Sequence, residues 1–546
     1  MYIFSIFPFL QGINQLHIVF ILDVLMCGFL LYKVHKNKQL IIPKDIKFTA
    51  ILIWCLCYLL TVFTAVDGKF AFLGFLKFLT VPLFLILLNQ YKLDEKKRDD
   101  FFYVIPKIGA VMMVIILFAL LIGQANIFFN NNRLAGFFTY ANSFAMFLLI
   151  GIVIMGFRSE LKWYDYAING LLTIGIILTN SRSMMIIFAF AYLLVIIFSK
   201  KNRKQNLINA AILVAIAVIT NIVMNKFGVS NRLSTTSAGA GEWVLRLLYY
   251  KDALKMFKQN IWGYGYMAWS YMQESFQTGV YDARFLHNAL LQVVFDAGII
   301  AGIMIIFVFI KAFFEKQTTA RDRILMIIIL GHSLIDFDIE FLAISLVLFA
   351  TLHFKEEYIV EKKALVNSIV GISIAVYSYF AIAMLATEVG DYHFANSMYP
   401  YSISLNSEFS ITNNYQNKLK LAEELYKENK YFTENLYFLS DYYQQLGDYD
   451  KALVYEKQAV SNKKYTMLNY IEYTSFLSDA IRYYRSVGNK EKMNIYIQEV
   501  LNVETMINDV LENSDELAFK IEHKPRLDMP EEMKEYIEQI RNYYIN

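Results

Sequence analysis

Residues 284–313 read RFLHNALLQVVFDAGIIAGIMIIFVFIKAF. A polar stretch that begins near Lys226 ends at Arg284, and His287 then opens an apolar run. This run is long enough to cross a bilayer, which takes about 20 residues of helix. A connection as long as the polar stretch is usually functional when it lies between two spans. We therefore predict that an outer loop, 225–286, covers a site at a membrane surface.

The composition is that of a membrane protein with a soluble part. Of the 546 residues, 57% are hydrophobic and only 18% are charged, whereas soluble domains carry about 25% charged residues. Apolar runs fill residues 17–386, and the rest of the chain is polar. We predict an all-α fold, with a polytopic helical bundle at 1–388 followed by a soluble helical domain at 389–546. The formal charge of +3 is too small to indicate binding of nucleic acid.

The cysteines and acidic residues give no sign of a metal centre. The three cysteines all lie inside apolar runs, which predicts buried thiols rather than disulfides or zinc ligands: Cys27, Cys55 and Cys57. We expect neither a metal nor a cofactor.

About twelve segments are apolar enough to be candidate spans. They are 17–33, 48–65, 69–89, 101–122, 141–157, 165–180, 183–199, 206–224, 287–313, 322–335, 339–354 and 364–386. The pair 322–335 and 339–354 is short enough to form a hairpin that does not fully cross. Every second loop is rich in lysine and arginine, which predicts that these loops are cytoplasmic and the alternate loops face outward. The soluble C-terminal part is then extracytoplasmic as well.

The C-terminal part has the spacing of a tetratricopeptide repeat, a helix-turn-helix unit of about 34 residues. Leu436, Leu439, Ala452 and Ala459 occupy its packing positions, and Gly447 its turn. This pattern predicts a concave surface for a protein or glycan partner. A domain that only caps and stabilises the bundle is the alternative.

On this topology, several cationic residues fall on one predicted outer face. Arg133, Arg182, Arg246 and His287 lie at or near the ends of spans, and charges at membrane depth usually line a watery cavity. Four further polar residues accompany them: Asn142, Asn288, Asp336 and Asp338.

These residue types suit one kind of chemistry. An arginine offers a fixed fork of donors that matches phosphate oxygens and keeps its charge. A histidine can accept a proton near neutral pH, and Asp336 or Asp338 could fix its tautomer. Arginines around a diphosphate leaving group, beside a proton acceptor, predict glycosyl transfer from a polyprenyl diphosphate carrier.

Several of these residues also have purely structural explanations. Arg182 could be a snorkelling anchor, and His332 a packed or interfacial histidine. Asp336 and Asp338 could form the solvated turn of a hairpin.

An ordered set of short motifs runs through the membrane part of the chain. The set comprises Arg133-x-x-Gly136-Phe137 with Asn142, then Ser181-Arg182, Arg246 followed by Gly263-x-Gly265, and His287-Asn288 before Gly298 and Gly302. This set resembles the O-antigen ligase and polymerase superfamily of bacterial envelope glycan assembly. The resemblance covers roughly residues 100 to 350. It implies a GT-C-like membrane fold with an outward cavity. Arg133, Arg182 and Arg246 would contact the undecaprenyl diphosphate, and His287 would activate the acceptor hydroxyl without a metal, with Arg246 also counted as catalytic.

The family contains ligases, polymerases and protein O-oligosaccharyltransferases, and the sequence does not choose among these. The acceptor could therefore be a growing polysaccharide, a lipid or a protein. A transporter or flippase of lipid-linked sugars is the alternative, because about twelve spans is also a common transporter count. A membrane scaffold that presents the C-terminal repeats is a third possibility.

Overall fold

The computed structural model describes residues 6–91, 95–226 and 237–544. Residues 227–236 of the predicted outer loop and Lys92 of a predicted basic loop lie outside these ranges. The described chain is helical almost throughout. Its helices are α1 (Leu16–Asn37), α2 (Ile46–Thr61), α3 (Gly68–Asn89), α4 (Glu95–Leu121), α5 (Ala141–Gly156), α6 (Trp163–Leu178), α7 (Arg182–Phe198), α8 (Arg203–Lys226), α9 (Ser237–Gln259), α10 (Trp269–Phe276), α11 (Ala289–Phe314), α12 (Ala320–Ser333), α13 (Leu342–Ala350), α14 (Lys363–Glu388), α15 (Tyr392–Met398), α16 (Ser402–Ile411), α17 (Tyr415–Glu428), α18 (Thr433–Gln445), α19 (Tyr449–Asn462), α20 (Met467–Ser486), α21 (Lys490–Glu512) and α22 (Glu531–Tyr544).

The chain divides into two compact units. The first contains Met1–Leu59, Leu73–Thr236 and His287–Glu388, and the second contains Leu60–Phe72, Ser237–Leu286 and Val389–Asn546. The second unit thus groups the described part of the predicted outer loop with the C-terminal helices.

Six helices of the described chain are long and apolar enough to span a membrane: α1, α3, α4, α8, α11 and α14. A further four apolar helices, α2, α5, α6 and α7, have 16 or 17 residues. Each predicted span coincides with a helix, but the count of about twelve spans is not confirmed. The helix α13 has only nine residues, so it is about 14 Å long against an apolar bilayer core of about 30 Å.

The centre of the first unit is α5, in which every residue is buried. Its apolar side chains pack against α4, α6, α7 and α12, and its first turn carries the polar pair Asn142 and Ser143. Two short antiparallel pairings complete this unit. In one, β1 (Leu40–Pro43) pairs with β4 (Glu357–Val360), and in the other β2 (Phe129–Asn130) pairs with β3 (Arg133–Leu134).

In the second unit, consecutive helices from α17 to α21 pack on one another. Gly447 and Gly488 make the turns after α18 and α20 with φ of +75° and +71°. The tetratricopeptide assignment stays a prediction.

Residues 237–286 of the predicted outer loop are folded within this second unit. Asp252 on α9 is buried and accepts hydrogen bonds at 2.8 Å from the amide and hydroxyl of Thr278 and from the Tyr281 hydroxyl. Lys251 pairs with Asp515 at 2.6 Å. This stretch is therefore a folded part of its unit rather than an extended connection.

Candidate functional site

A tight hairpin places Arg133. Asn131 and Asn132, between β2 and β3, both have positive φ, at 49° and 58°, which is the backbone of a type I′ turn and suits asparagine. The Arg133 Nε donates to the Thr179 carbonyl oxygen at 3.0 Å, and its Nη2 donates to Asn142 Oδ1 at 2.5 Å. Arg133 therefore joins the hairpin to the end of α6 and to the first turn of α5.

The backbone after the hairpin allows α5 to begin close by. Gly136 has a φ of +56°, and a Cβ at this position would lie 2.5 Å from the Phe144 ring. Only glycine fits here, because a side chain would be strained by the backbone and would collide with the ring.

Asp336 is the centre of the polar network. Its side chain is fully buried and accepts from the Asn142 amide at 2.6 Å, from the Tyr140 hydroxyl at 3.1 Å and from the Phe337 backbone amide at 2.9 Å. His287 Nδ1 lies 3.3 Å from Asp336 Oδ1. A buried carboxyl group requires hydrogen-bond partners of this kind, because it has lost its contact with water.

The backbone at His287 is in the left-handed conformation, directly before α11. Its φ is +49°, an uncommon conformation for a residue other than glycine. The next residue, Asn288, caps α11 by accepting from the Leu291 amide at 2.9 Å. The tautomer that lets Nδ1 donate to Asp336 presents Nε2 as the acceptor. The His287 side chain is 21% exposed, so it is accessible to a small reactant.

A second chain of hydrogen bonds runs beside the first. His332 Nδ1 contacts Asp338, and His332 Nε2 lies 3.3 Å from the Ser183 hydroxyl. The other oxygen of Asp338 accepts from Ser143 at 2.7 Å. Asp338 and His332 are both buried, and Ser183 lies in the first turn of α7, directly after Arg182.

A buried ion pair involves Glu340, two residues after Asp338. Lys77 in the middle of α3 contacts Glu340 at 2.8 Å, and both side chains are buried. The sequence signal for this pair is a lysine inside an apolar run, because charged residues are rare within membrane spans. Ser143, Tyr140 and Ser183 gave no comparable signal, because single hydroxyl groups are common in apolar helices.

The structure brings together several of the predicted site residues. Arg133, Asn142, Asp336 and His287 form one continuous network, and Asp338 belongs to the chain beside it. The solvated-turn alternative for Asp336 and Asp338 is wrong, because both side chains are fully buried.

The remaining predicted residues are placed as follows. Arg182 is the first residue of α7, whose N-cap is Ser181, and Asn288 acts as a helix cap. Arg246 lies on α9 in the second unit. The roles of the three arginines as diphosphate contacts stay predictions.

The fold and this network define a multi-pass helical membrane protein with a polar site among its apolar helices. Residues 167–306 match the O-antigen ligase family, which supports membrane glycan transfer of the ligase or polymerase type. The matched range contains Arg182, Arg246 and His287, whereas Arg133 and Asp336 lie outside it. No curated protein and no solved structure matches the chain.

Proposed function

We propose that this protein transfers a glycan from an undecaprenyl diphosphate carrier to an acceptor hydroxyl at the outer face of the cytoplasmic membrane. The observation that carries the proposal is the pairing of His287 with the buried carboxylate of Asp336. The family match is a second, independent support.

In the proposed step, the acceptor hydroxyl gives its proton to His287 Nε2. Its oxygen forms a bond to the anomeric carbon of the donor sugar, while the bond from that carbon to the diphosphate oxygen breaks. The diphosphate leaves with the electron pair. Asp336 stabilises the imidazolium, as a carboxylate behind a catalytic histidine does.

The arginines would stabilise the charge on the leaving diphosphate, which removes the need for a metal ion. Arg133 already donates two hydrogen bonds to the protein, so its fork is held in a fixed orientation. In the proposal, Arg182 and Arg246 also stabilise the leaving diphosphate, because they occupy motif positions that resemble those of the family.

The test compares surface glycan in cells that express His287→Ala, Arg246→Ala or the wild-type protein at matched levels. His353→Ala is the matched control, because His353 also pairs with a buried carboxylate, Asp322, at 2.8 Å but belongs to a different cluster. We expect both site variants to lose surface glycan and the control to retain it. Near-normal glycan in both site variants would reject the assignment.

A second assay separates transfer from transport. Purified protein in vesicles receives a lipid-linked glycan and an acceptor, and the products are analysed by mass spectrometry. A new glycosidic bond supports the proposal. Movement of the lipid-linked glycan between leaflets with no bond made would show a flippase instead.

A further inference from the structure

An apolar groove lies between α11 and α12 in the first unit. It encloses about 330 Å³. On α11 its wall includes Ile306, Phe309 and Ile310, and on α12 it includes Leu330 and Gly331. The α11 residues follow the spacing of one helix face. We refer to this feature as the α11–α12 groove.

One end of the groove shares its backbone with the polar network. Leu334 lines the groove, two residues after His332 and two before Asp336. Ile339 also lines it, between Asp338 and Glu340. The same short turns therefore direct carboxylates into the network and apolar side chains into the groove.

A buried hydroxyl marks this end. Ser333 lines the groove and is only 2% exposed, and its Oγ has no hydrogen-bond partner within the described part of the chain. A buried hydroxyl without a partner is unfavourable, so a ligand that offers a polar atom beside the groove would stabilise this site.

We propose that the α11–α12 groove binds the polyisoprenyl tail of the lipid-linked donor, with the diphosphate end of the donor at Ser333 and the polar network. This inference rests on the proposed function, because a tail with one charged end matches an apolar groove that terminates at a polar site. The polyisoprenyl tail and the membrane lipids are about equally apolar. Binding of the tail to the groove is therefore stabilised by close packing rather than by exclusion of water. The groove would thereby fix the direction from which the diphosphate reaches His287.

Gly331 lines the groove and offers a position for a substitution that narrows it. A Cβ at Gly331 would meet no atom within 4 Å, so the first side-chain atom of a Gly331→Phe variant has room. Gly371 on α14 is also exposed and open, and it does not line the groove. Gly371→Phe is therefore the matched control for the cost of placing phenylalanine at a helical glycine.

The experiment measures binding of two probes to the full chain in phosphatidylglycerol nanodiscs: undecaprenyl diphosphate and geranyl diphosphate. We expect Gly331→Phe to weaken binding of undecaprenyl diphosphate about tenfold relative to Gly371→Phe, while the short-tailed probe changes less than about twofold. Equal affinities of the two variants for both probes would overturn the proposal.

A crosslinking measurement covers the case in which Gly331→Phe does not fold. An undecaprenyl diphosphate with a photoreactive tail should label wild-type peptides containing Phe309 and Leu330 more strongly than photoreactive phosphatidylglycerol does. Equal labelling by the two probes would show that the groove holds bulk lipid, and would reject the inference.

The experiments distinguish an error in the assignment of tail binding to the groove from an error in the proposed function. If the wild-type protein binds undecaprenyl diphosphate in the groove but makes no glycosidic bond, the groove assignment holds and the transferase function is rejected. If the wild-type protein makes the bond and Gly331→Phe leaves the donor affinity unchanged, the transferase function holds and the groove assignment is rejected.

Discussion

Asp336 Oδ1 lies 3.3 Å from His287 Nδ1, although 49 residues separate the two in the chain. The carboxylate is fully buried, and the imidazole is partly exposed. In the proposed mechanism, Nδ1 donates to Asp336 and Nε2 acts as the general base toward the acceptor hydroxyl.

We expect Asp336→Asn to lower kcat for glycan transfer at least about 30-fold while the KM for the donor changes little, because the amide cannot stabilise an imidazolium. His287→Ala should lower kcat at least about 100-fold, since the proton acceptor is lost. The measurement is steady-state transfer from a lipid-linked donor by purified protein. If Asp336→Asn kept full kcat, the pairing would have no part in the reaction.

We expect Ser183 and His332 to act together as positioning residues. Their side chains lie 3.3 Å apart and connect the first turn of α7, which carries Arg182, to the end of α12. Ser183→Ala and His332→Gln should each lower kcat/KM for the donor about tenfold, and the double variant should lose little more. A double-mutant cycle measures this, with Ser373→Ala on α14 as a control hydroxyl that bonds only its own helix at Ile369. Additive losses would show that the two residues act separately.

Gly298 breaks α11, where φ is 84° and ψ is 175°. Only glycine adopts this conformation without strain, so Gly298→Ala should lower the free energy of unfolding of the purified protein by about 1–3 kcal/mol. Thermal denaturation measures this change. Gly371→Ala is the matched control, because Gly371 lies inside the regular helix α14 and has open space around it. The control should be neutral or slightly stabilising, since alanine is the better helix former. Equal stability of the two variants would mean that the break in α11 is not required.

Stability of the α18–α19 region should depend on pH through Glu456. Burial is the main cause that raises the pKa of this carboxyl to about 7, with Asp441 and Glu472 adding to the effect. The folded state then binds more protons than the unfolded state between about pH 4.5 and pH 7, so stability is greatest below this window and falls as pH rises through it.

The measurement is hydrogen exchange of the α18–α19 amides in the full chain at pH 5 and pH 7.5, corrected for intrinsic exchange. Protection should be lower at pH 7.5, and Glu456→Gln should remove the difference. A wild-type difference that persists in Glu456→Gln would assign it to another group.

The sequence by itself determined that the protein is a multi-pass helical membrane protein and where its apolar helices lie, because a bilayer demands apolar helices whose hydrogen bonds are internal. It also indicated His287, Asp336 and the arginines as candidates, because charged residues at membrane depth usually line a watery cavity. It did not indicate the break at Gly298, since the apolar run continues through it without interruption.

Only the tertiary structure decided which of these residues meet. Asp336 and Asp338 are two positions apart, yet one contacts His287 and the other His332. Hydropathy reports the burial of whole segments, whereas the direction of a side chain in a short turn depends on the helices packed around it. The partners of His287 and Lys77 lie 49 and 263 residues away in the chain, so no local pattern could have identified these contacts.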